Sequence, residues 1–148
     1  MYKVFHVDQD QLWSVIHSFT NVDVGDMPFM YSPYQWNRGK YPFLGFTNEE
    51  DACEFAIDMS SDHYRERYEV WYCHARGIRE ISHLIPVWLS DFIDQAKELW
   101  TITKENGGQA GSHLVSMLDI GHVPPGTRAC DKIKPVERIA VLVDGLYL

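Results

Sequence analysis

Residues 41–56, YPFLGFTNEEDACEFA, join a short apolar run directly to a helix-forming stretch, and this junction constrains the fold more than any other feature of the sequence. The run PFLGF predicts a short strand. Thr47 or Asn48 then predicts the N-cap of a helix with an acidic first turn, which is favourable near the positive end of the helix dipole. A strand that leads straight into a capped helix indicates an α+β arrangement.

Several other segments show the two-residue period of a strand. The clearest is RYEVWYCHA, in which large residues alternate between two faces. This alternation places Tyr68, Val70, Tyr72 and His74 on one face and Glu69, Trp71, Cys73 and Ala75 on the other. Further strands are predicted at residues 2–7 and at residues 128–143, the latter as one or two strands around Pro135.

Two more helices are predicted from apolar residues that recur at helical spacing. The first begins at the potential cap Asp8, and the second covers roughly residues 89–100. The apolar positions of the first are Leu12, Val15, Ile16 and Phe19. The prediction is therefore an α+β fold, with residues 1–148 as a single small domain that has a mixed or antiparallel sheet and about three helices.

Residues 21–40 show neither period for any length, and Gly and Pro interrupt them among many aromatic residues. We expect a long aromatic loop here, and long ordered loops are often functional. The aromatic side chains that the loop could present to a ligand include Tyr34 and Trp36.

The charge balance is strongly acidic, with 21 Asp and Glu against 13 Lys and Arg and a net charge of -8. Binding to nucleic-acid phosphates needs clustered Lys and Arg, so the composition predicts no nucleic-acid partner. No apolar run approaches the roughly 20 residues of a membrane span, and the N-terminal residues lack the pattern of a secretory signal. We therefore expect no membrane partner and a cytoplasmic location.

The cysteines and histidines do not form a metal-binding pattern. The three cysteines lack a CxxC pair, and they are predicted to be buried thiols. None of the seven histidines pairs as HxH or HxxxH on one predicted element, so no metal site is expected. The sequence also lacks the glycine-rich phosphate loops and the nucleophile elbow of common enzyme families.

The order of predicted elements resembles that of ADP-ribosyltransferase-like domains. The resemblance rests on a first strand with His6, the segment LGFTNEEDACEFA as strand, turn and helix, and the strand YEVWYCHARGI. It implies that NAD is the cofactor, that His6 holds its adenosine ribose, and that Tyr41 or Phe46 stacks on nicotinamide. It also implies that a late acid activates the reacting ribose, and Glu137 is the candidate.

A second resemblance concerns the C-terminal stretch PPGTRACDKIKPVERI together with the start YKV. Both are similar to small uncharacterised phage accessory proteins. This likeness implies a protein that acts in the cytoplasm of a host cell, and it implies no particular chemistry.

These observations favour a non-catalytic binding module of phage or mobile-element type over an enzyme. Such a module would engage a host protein or a nucleotide-like ligand through an aromatic-lined surface, would counteract host defence and would need no cofactor. The ligand-binding candidates are Tyr34, Trp36, Phe46 and Thr47. One alternative is an NAD-dependent mono-ADP-ribosyltransferase that uses His6, Tyr41 and Glu137. A second alternative is a structural subunit of an assembly, and the sequence leaves the oligomeric state open.

Overall fold

A computed structural model of the protein describes residues 1–15, 30–80 and 126–148, in which eight strands form one sheet beside one helix. The elements in chain order are β1 (Tyr2–Asp8), β2 (Gln11–Trp13), β3 (Met30–Tyr31), β4 (Asn37–Phe46), α1 (Glu49–Asp62), β5 (Arg67–Arg76), β6 (Arg79–Glu80), β7 (Thr127–Val143) and β8 (Leu146–Tyr147). Within these ranges, no helix has both the length and the apolar character that a membrane span requires.

All strand pairings in the sheet are antiparallel, and β7 is the strand that connects most of them. β7 pairs with β4, β5, β6 and β8. β1 pairs with β5 along most of its length and meets β4 at the single pair Tyr2↔Phe46. The strands β1, β5, β7 and β4 therefore close a ring, and side chains alternate between its inside and its outside.

Two hydrophobic cores occupy the two faces of this curved sheet. The inner core contains Phe5, Leu12, Tyr31, Phe43, Trp71, Cys73, Cys130 and Ile133. The helix-side core lies between the outer face and α1 and contains Val4, Phe46, Ala52, Ala56, Tyr68, Val70 and Leu142. The alternation predicted for β5 is confirmed, because Trp71 and Cys73 belong to the inner core while Tyr68 and Val70 belong to the helix-side core.

The helix predicted to begin at Asp8 is wrong over residues 11–13, which form β2. Gln9 and Asp10 both have positive φ angles, of 51° and 61°, and Asp8 pairs with Gln11 across them. Two successive left-handed residues make the tight turn that suits the twist of a β-hairpin, so the chain folds back along β1. The sheet dominates the described residues, and α1 is the one helix among them rather than one of about three. The third predicted helix lies outside the described residues.

Two further boundaries differ from the sequence-based expectation. The predicted loop at residues 21–40 contains β3 and the start of β4, while residues 21–29 lie outside the described part. Residues 127–143 form one strand in which the register shifts between Tyr72↔Glu137 and Cys73↔Pro135. Such an irregularity accommodates a proline, which has no N–H to donate to the ladder.

The helix α1 begins at the predicted cap. The side-chain oxygen of Asn48 accepts a hydrogen bond from the Asp51 backbone N–H at 2.8 Å, and the first turn carries three acids. Just before the cap, Gly45 lies where β1 crosses β4, and a Cβ there would come within 2.9 Å of the Tyr2 carbonyl oxygen. The strand-to-helix junction at residues 41–56 is therefore fixed by a close backbone approach and a capped helix.

Replacing Asn48 by Ala should lower the free energy of unfolding by about 1 kcal/mol, because the first turn of α1 loses a side-chain acceptor. Urea unfolding followed by circular dichroism measures the change. The variant Asn48→Ser keeps a capping oxygen and should lie close to the parent. Equal losses in the two variants would show that capping is not what Asn48 contributes.

Lys3 is buried in the ring, with 7% of its surface exposed. Its ammonium group donates to the Leu44 carbonyl oxygen at 2.5 Å and lies 5.1 Å from the ring centroid of Tyr31. Burial lowers the pKa of Lys3 from 10.5 to about 8, because the charged amine loses its hydration. Burial also raises the pKa of Cys73 to about 12 and that of Cys130 to about 11.

The variant Lys3→Met tests this buried amine through the pH dependence of stability. Because the folded pKa of Lys3 lies below its unfolded value, the unfolded chain binds more protons between pH 8 and 10.5, and stability is lost as the pH falls through that window. Lys3→Met lacks this titration. The free energy of unfolding of the variant minus that of the parent should therefore be about 3 kcal/mol larger at pH 8 than at pH 10.5.

Urea unfolding of both proteins at the two ends of this window gives the comparison. The Lys3 ammonium lowers the pKa of the Cys73 and Cys130 thiols, so Lys3→Met raises both, which changes the comparison in the same direction as loss of the lysine titration. A difference between the two proteins that does not change with pH would contradict a buried, weakly basic Lys3.

Candidate functional site

His6, which the transferase resemblance assigns to ribose binding, lies on the helix side of β1 and is only 3% exposed. Its Nε2 atom lies 2.6 Å from a carboxylate oxygen of Glu66, and its ring packs against Tyr68 at a centroid distance of 5.4 Å. A buried imidazole that is paired with a carboxylate and packed on an aromatic ring has the environment of a structural histidine.

The three residues of the transferase alternative do not meet at one point. His6 pairs with Tyr68 from one edge of β5, and Glu137 pairs with Tyr72 from the other edge, four residues further along. The two backbone positions are therefore separated by about 13 Å along the strands and by two strand spacings of about 4.8 Å across them. Glu137 is exposed. Tyr41 belongs to β4, and its side chain lies outside the described part of the structure.

The four ligand-binding candidates separate into two places at opposite ends of β4. Phe46 is buried in the helix-side core against Phe55, and Thr47 follows it at the surface, where its backbone N–H donates to the Gly126 carbonyl oxygen. Tyr34 and Trp36 precede β4 and are 64% and 38% exposed. The ring of Tyr34 packs edge to face on Trp71 of the inner core at a centroid distance of 5.7 Å, whereas the ring of Trp36 contacts Arg76. The structure therefore gives these two neighbouring aromatic residues different surroundings and places Phe46 and Thr47 elsewhere.

The loop that carries Tyr34 and Trp36 is held by a buried amide. The Asn37 side chain accepts from the Ser32 backbone N–H and donates to the carbonyl oxygens of Ser32 and Gln35, at 2.8–2.9 Å. The Tyr34 N–H donates to the Pro135 carbonyl oxygen at 2.8 Å, although Tyr34 has a φ of 64°, which is rare for a bulky residue. These bonds fix the backbone of the loop that carries the two aromatic residues and attach it to β7.

Trp36 stands at the corner of a group of basic residues on the outer face of the sheet. Arg38 pairs with Lys132 and Lys132 pairs with Arg76, so three cations form a row across β4, β7 and β5. Lys134 and His74 pair with each other two residues away from Lys132 and Arg76, on the same face of the sheet. We call Trp36, Arg38, His74, Arg76, Lys132 and Lys134 the basic patch.

Strand alternation explains why these residues share a face. Ile133, between the two lysines, points into the inner core, as does Cys73 next to His74. Trp36 immediately precedes Asn37, the partner of Ile133, and the Arg76 guanidinium carbon lies 5.0 Å from the centroid of its indole ring. The patch lies on the same outer face of the sheet as α1. The helix packs against the first half of β5, around Tyr68 and Val70, and the patch lies at the other end of that strand.

The cations of the patch differ from the other arginines of the sheet. Arg67, Arg79, Arg128 and Arg138 each pair with a carboxylate. Among the ion pairs of residues 1–15, 30–80 and 126–148, none involves Arg38, Arg76, Lys132 or Lys134. The patch is thus a local concentration of positive charge, without bound counter-charges from those ranges, on a chain whose net charge is -8.

None of the basic residues of this patch was predicted from the sequence to bind a ligand, although the strand face of His74 was predicted. The signal that could have identified them is a repeated spacing of two, because Trp36 and Arg38, His74 and Arg76, and Lys132 and Lys134 each place polar or aromatic groups on one side of a strand. The three pairs come from distant parts of the chain, and only strand pairing brings them together.

Comparisons of the chain with protein-family models, curated proteins and solved structures give no match. Among the described residues, no group of three or more His, Cys, Asp or Glu side chains is arranged to hold a metal ion. The functional conclusion depends on the geometry of the basic patch.

Replacing His6 by Ala should lower the free energy of unfolding by about 2 kcal/mol, because a buried and hydrogen-bonded side chain is lost. The matched variant His74→Ala removes an exposed histidine from the neighbouring strand and should change stability by less than about 0.5 kcal/mol. Chemical denaturation of both variants measures the difference. Similar small effects for both would contradict a structural role for His6.

Proposed function

We propose that this protein is a non-catalytic binding module that engages a nucleotide-like ligand at the basic patch. The observation that carries the proposal is the placement of Trp36, stacked with Arg76, beside a row of cations that lack carboxylate partners among the described residues. A nucleotide has the two features that this arrangement complements, an aromatic base and a phosphate.

The two kinds of side chain would recognise different parts of such a ligand. The exposed indole of Trp36 offers a surface for base stacking, which is worth about 1–3 kcal/mol per base. Arg38 and Arg76 offer planar guanidinium groups that can donate two parallel hydrogen bonds to a phosphate, while Lys132 supplies a point charge. Because the loop before β4 is anchored by Asn37, little ordering of the loop would be needed on binding.

The likeness to phage accessory proteins suggests the setting in which such a module would act. A protein that binds a nucleotide-like host molecule without converting it would lower the free concentration of that molecule. Sequestration of this kind would counteract a host defence that depends on the bound molecule.

A thermal-shift assay of the purified protein with NAD, ADP-ribose, and linear and cyclic nucleotides tests this proposal. A ligand at a hundred times its dissociation constant should stabilise the fold by about 2.7 kcal/mol, which corresponds to roughly 5–10 °C. Trp36→Ala should weaken binding by about tenfold to a hundredfold, since it removes the stacking surface.

Tyr64→Ala is the matched control, because Tyr64 is also an exposed aromatic residue with an arginine, Arg65, stacked 5.0 Å from its ring centroid. It should leave binding unchanged. If none of the ligands shifts the melting temperature, or if both variants bind equally well, the proposed ligand class is wrong and a host protein becomes the partner to seek.

A further inference from the structure

We infer that the basic patch binds a single-stranded polynucleotide that lies across β4, β7 and β5, in preference to an isolated nucleotide. This inference rests on the proposed function, since it names the ligand class of the same surface. It follows from how the charges are spread, from the open outer face of the sheet on which they lie and from the aromatic rings beside it.

The cations of the patch are distributed over an area rather than gathered at a point. Neighbouring strands lie about 4.8 Å apart, so the row Arg38, Lys132 and Arg76 spans about 10 Å between its outer backbone positions. Lys134 adds a fourth charge two residues along β7 from Lys132, at about 7 Å. The separate phosphates of a polynucleotide can each pair with one of these cations without moving it. A single phosphate would have to draw the cations together, against their mutual repulsion.

The surface itself suits an extended ligand. Small ligands are usually enclosed in concave sites, but the patch consists of adjacent strand positions on the outer face of a sheet. Sheets that present exposed aromatic side chains are a known platform for the splayed bases of single strands. The rings of Tyr72 and His74, edge to face at 5.8 Å, continue the aromatic surface beyond the two rows of the patch.

From the net charge of -8, the sequence predicted that the protein has no nucleic-acid partner. A net charge does not show where the individual charges lie, and their location matters for phosphate binding. At physiological ionic strength the Debye length is about 8 Å, so a phosphate on the patch is screened from acids far from it. The acidic first turn of α1 follows the end of β4 that is opposite to Trp36 and Arg38. A local cationic surface can therefore hold phosphates on an acidic chain.

Two carboxylates lie close to the path of such a strand, and one of them, Asp131 beside Lys132, is paired with Arg79 at 2.7 Å. Glu137 is exposed and pairs with Tyr72, next to the His74 end of the patch. Its negative charge opposes a phosphate there. Neutralising it should strengthen binding, which is the opposite of what a catalytic role for Glu137 would produce.

Fluorescence anisotropy with a labelled short oligouridylate and the matching oligothymidylate tests the inference with the full-length chain, with uridine monophosphate as an unlabelled competitor. We expect both oligonucleotides to bind, and the monophosphate to compete about tenfold or more weakly than one oligonucleotide does. Between about 50 and 200 mM salt, the logarithm of affinity should fall with the logarithm of salt concentration with a slope near -3, as four phosphate contacts predict.

Variants locate the contacts. Arg76→Gln and Lys132→Gln should each weaken binding and make the slope about 0.7 less negative, because each removes one phosphate contact. Arg65→Gln removes the same charge from an arginine that is also stacked on an exposed aromatic ring, beyond the other end of β5, and should change neither quantity. Glu137→Gln should tighten binding.

The outcomes separate this inference from the proposed function. If the monophosphate competes as well as the oligonucleotides and Trp36→Ala abolishes its binding, the polynucleotide inference is overturned while the proposed function stands. If neither the oligonucleotides nor the monophosphate bind, the polynucleotide inference is overturned, and the thermal-shift assay with the other nucleotides decides the proposed function. Equal binding of a duplex, or equal Arg76-dependent binding of a poly-glutamate peptide, would also overturn a single-strand site. A preference for oligouridylate assigns RNA as the source of the ligand, and a preference for oligothymidylate assigns DNA.

Discussion

Backbone hydrogen bonding along both edges of the 17-residue strand β7 holds the described structure together. On one edge β7 pairs with β5 and β6, and on the other it pairs with β4 and β8. The register of these ladders decides which side chains face inward. A slip of one residue would exchange Ile133 of the inner core with Lys132 of the basic patch, so burial of the core and presentation of the patch depend on the same pairing.

The ring that β7 completes produces two environments of different character. Inside it, a lysine, two cysteines and a tyrosine lie among apolar residues, and burial disfavours their charged forms. Outside it, α1 covers one part of the sheet, and in the basic patch Trp36, Arg38, His74 and Arg76 are exposed while the two lysines are half-buried. Buried polar groups such as His6 and Asn37 are hydrogen bonded, and the bonds of Asn37 connect the core to the loop that carries Trp36.

Segments governed by contacts within a few residues were predicted well. The cap at Asn48 needs only a short polar side chain before an acidic turn, and the alternation of β5 needs only its own sequence. The first predicted helix was wrong because Leu12 and its neighbours also fit a strand, and a hairpin turn without glycine decided between the two. The Asp144-Gly145 turn between β7 and β8, with both φ angles positive, has the stronger sequence signal and was missed.

By itself the sequence determined the strand-to-cap-to-helix junction, the two faces of β5 and the acidic balance of the chain, because each follows from local pattern or from a sum over residues. Tertiary structure alone decided that His6 is buried against Tyr68 and that Arg38, Arg76 and Lys132 lie in one row. The physical reason is that strand pairing joins residues that are far apart in the chain, whereas a net charge does not show where the individual charged residues lie on the surface.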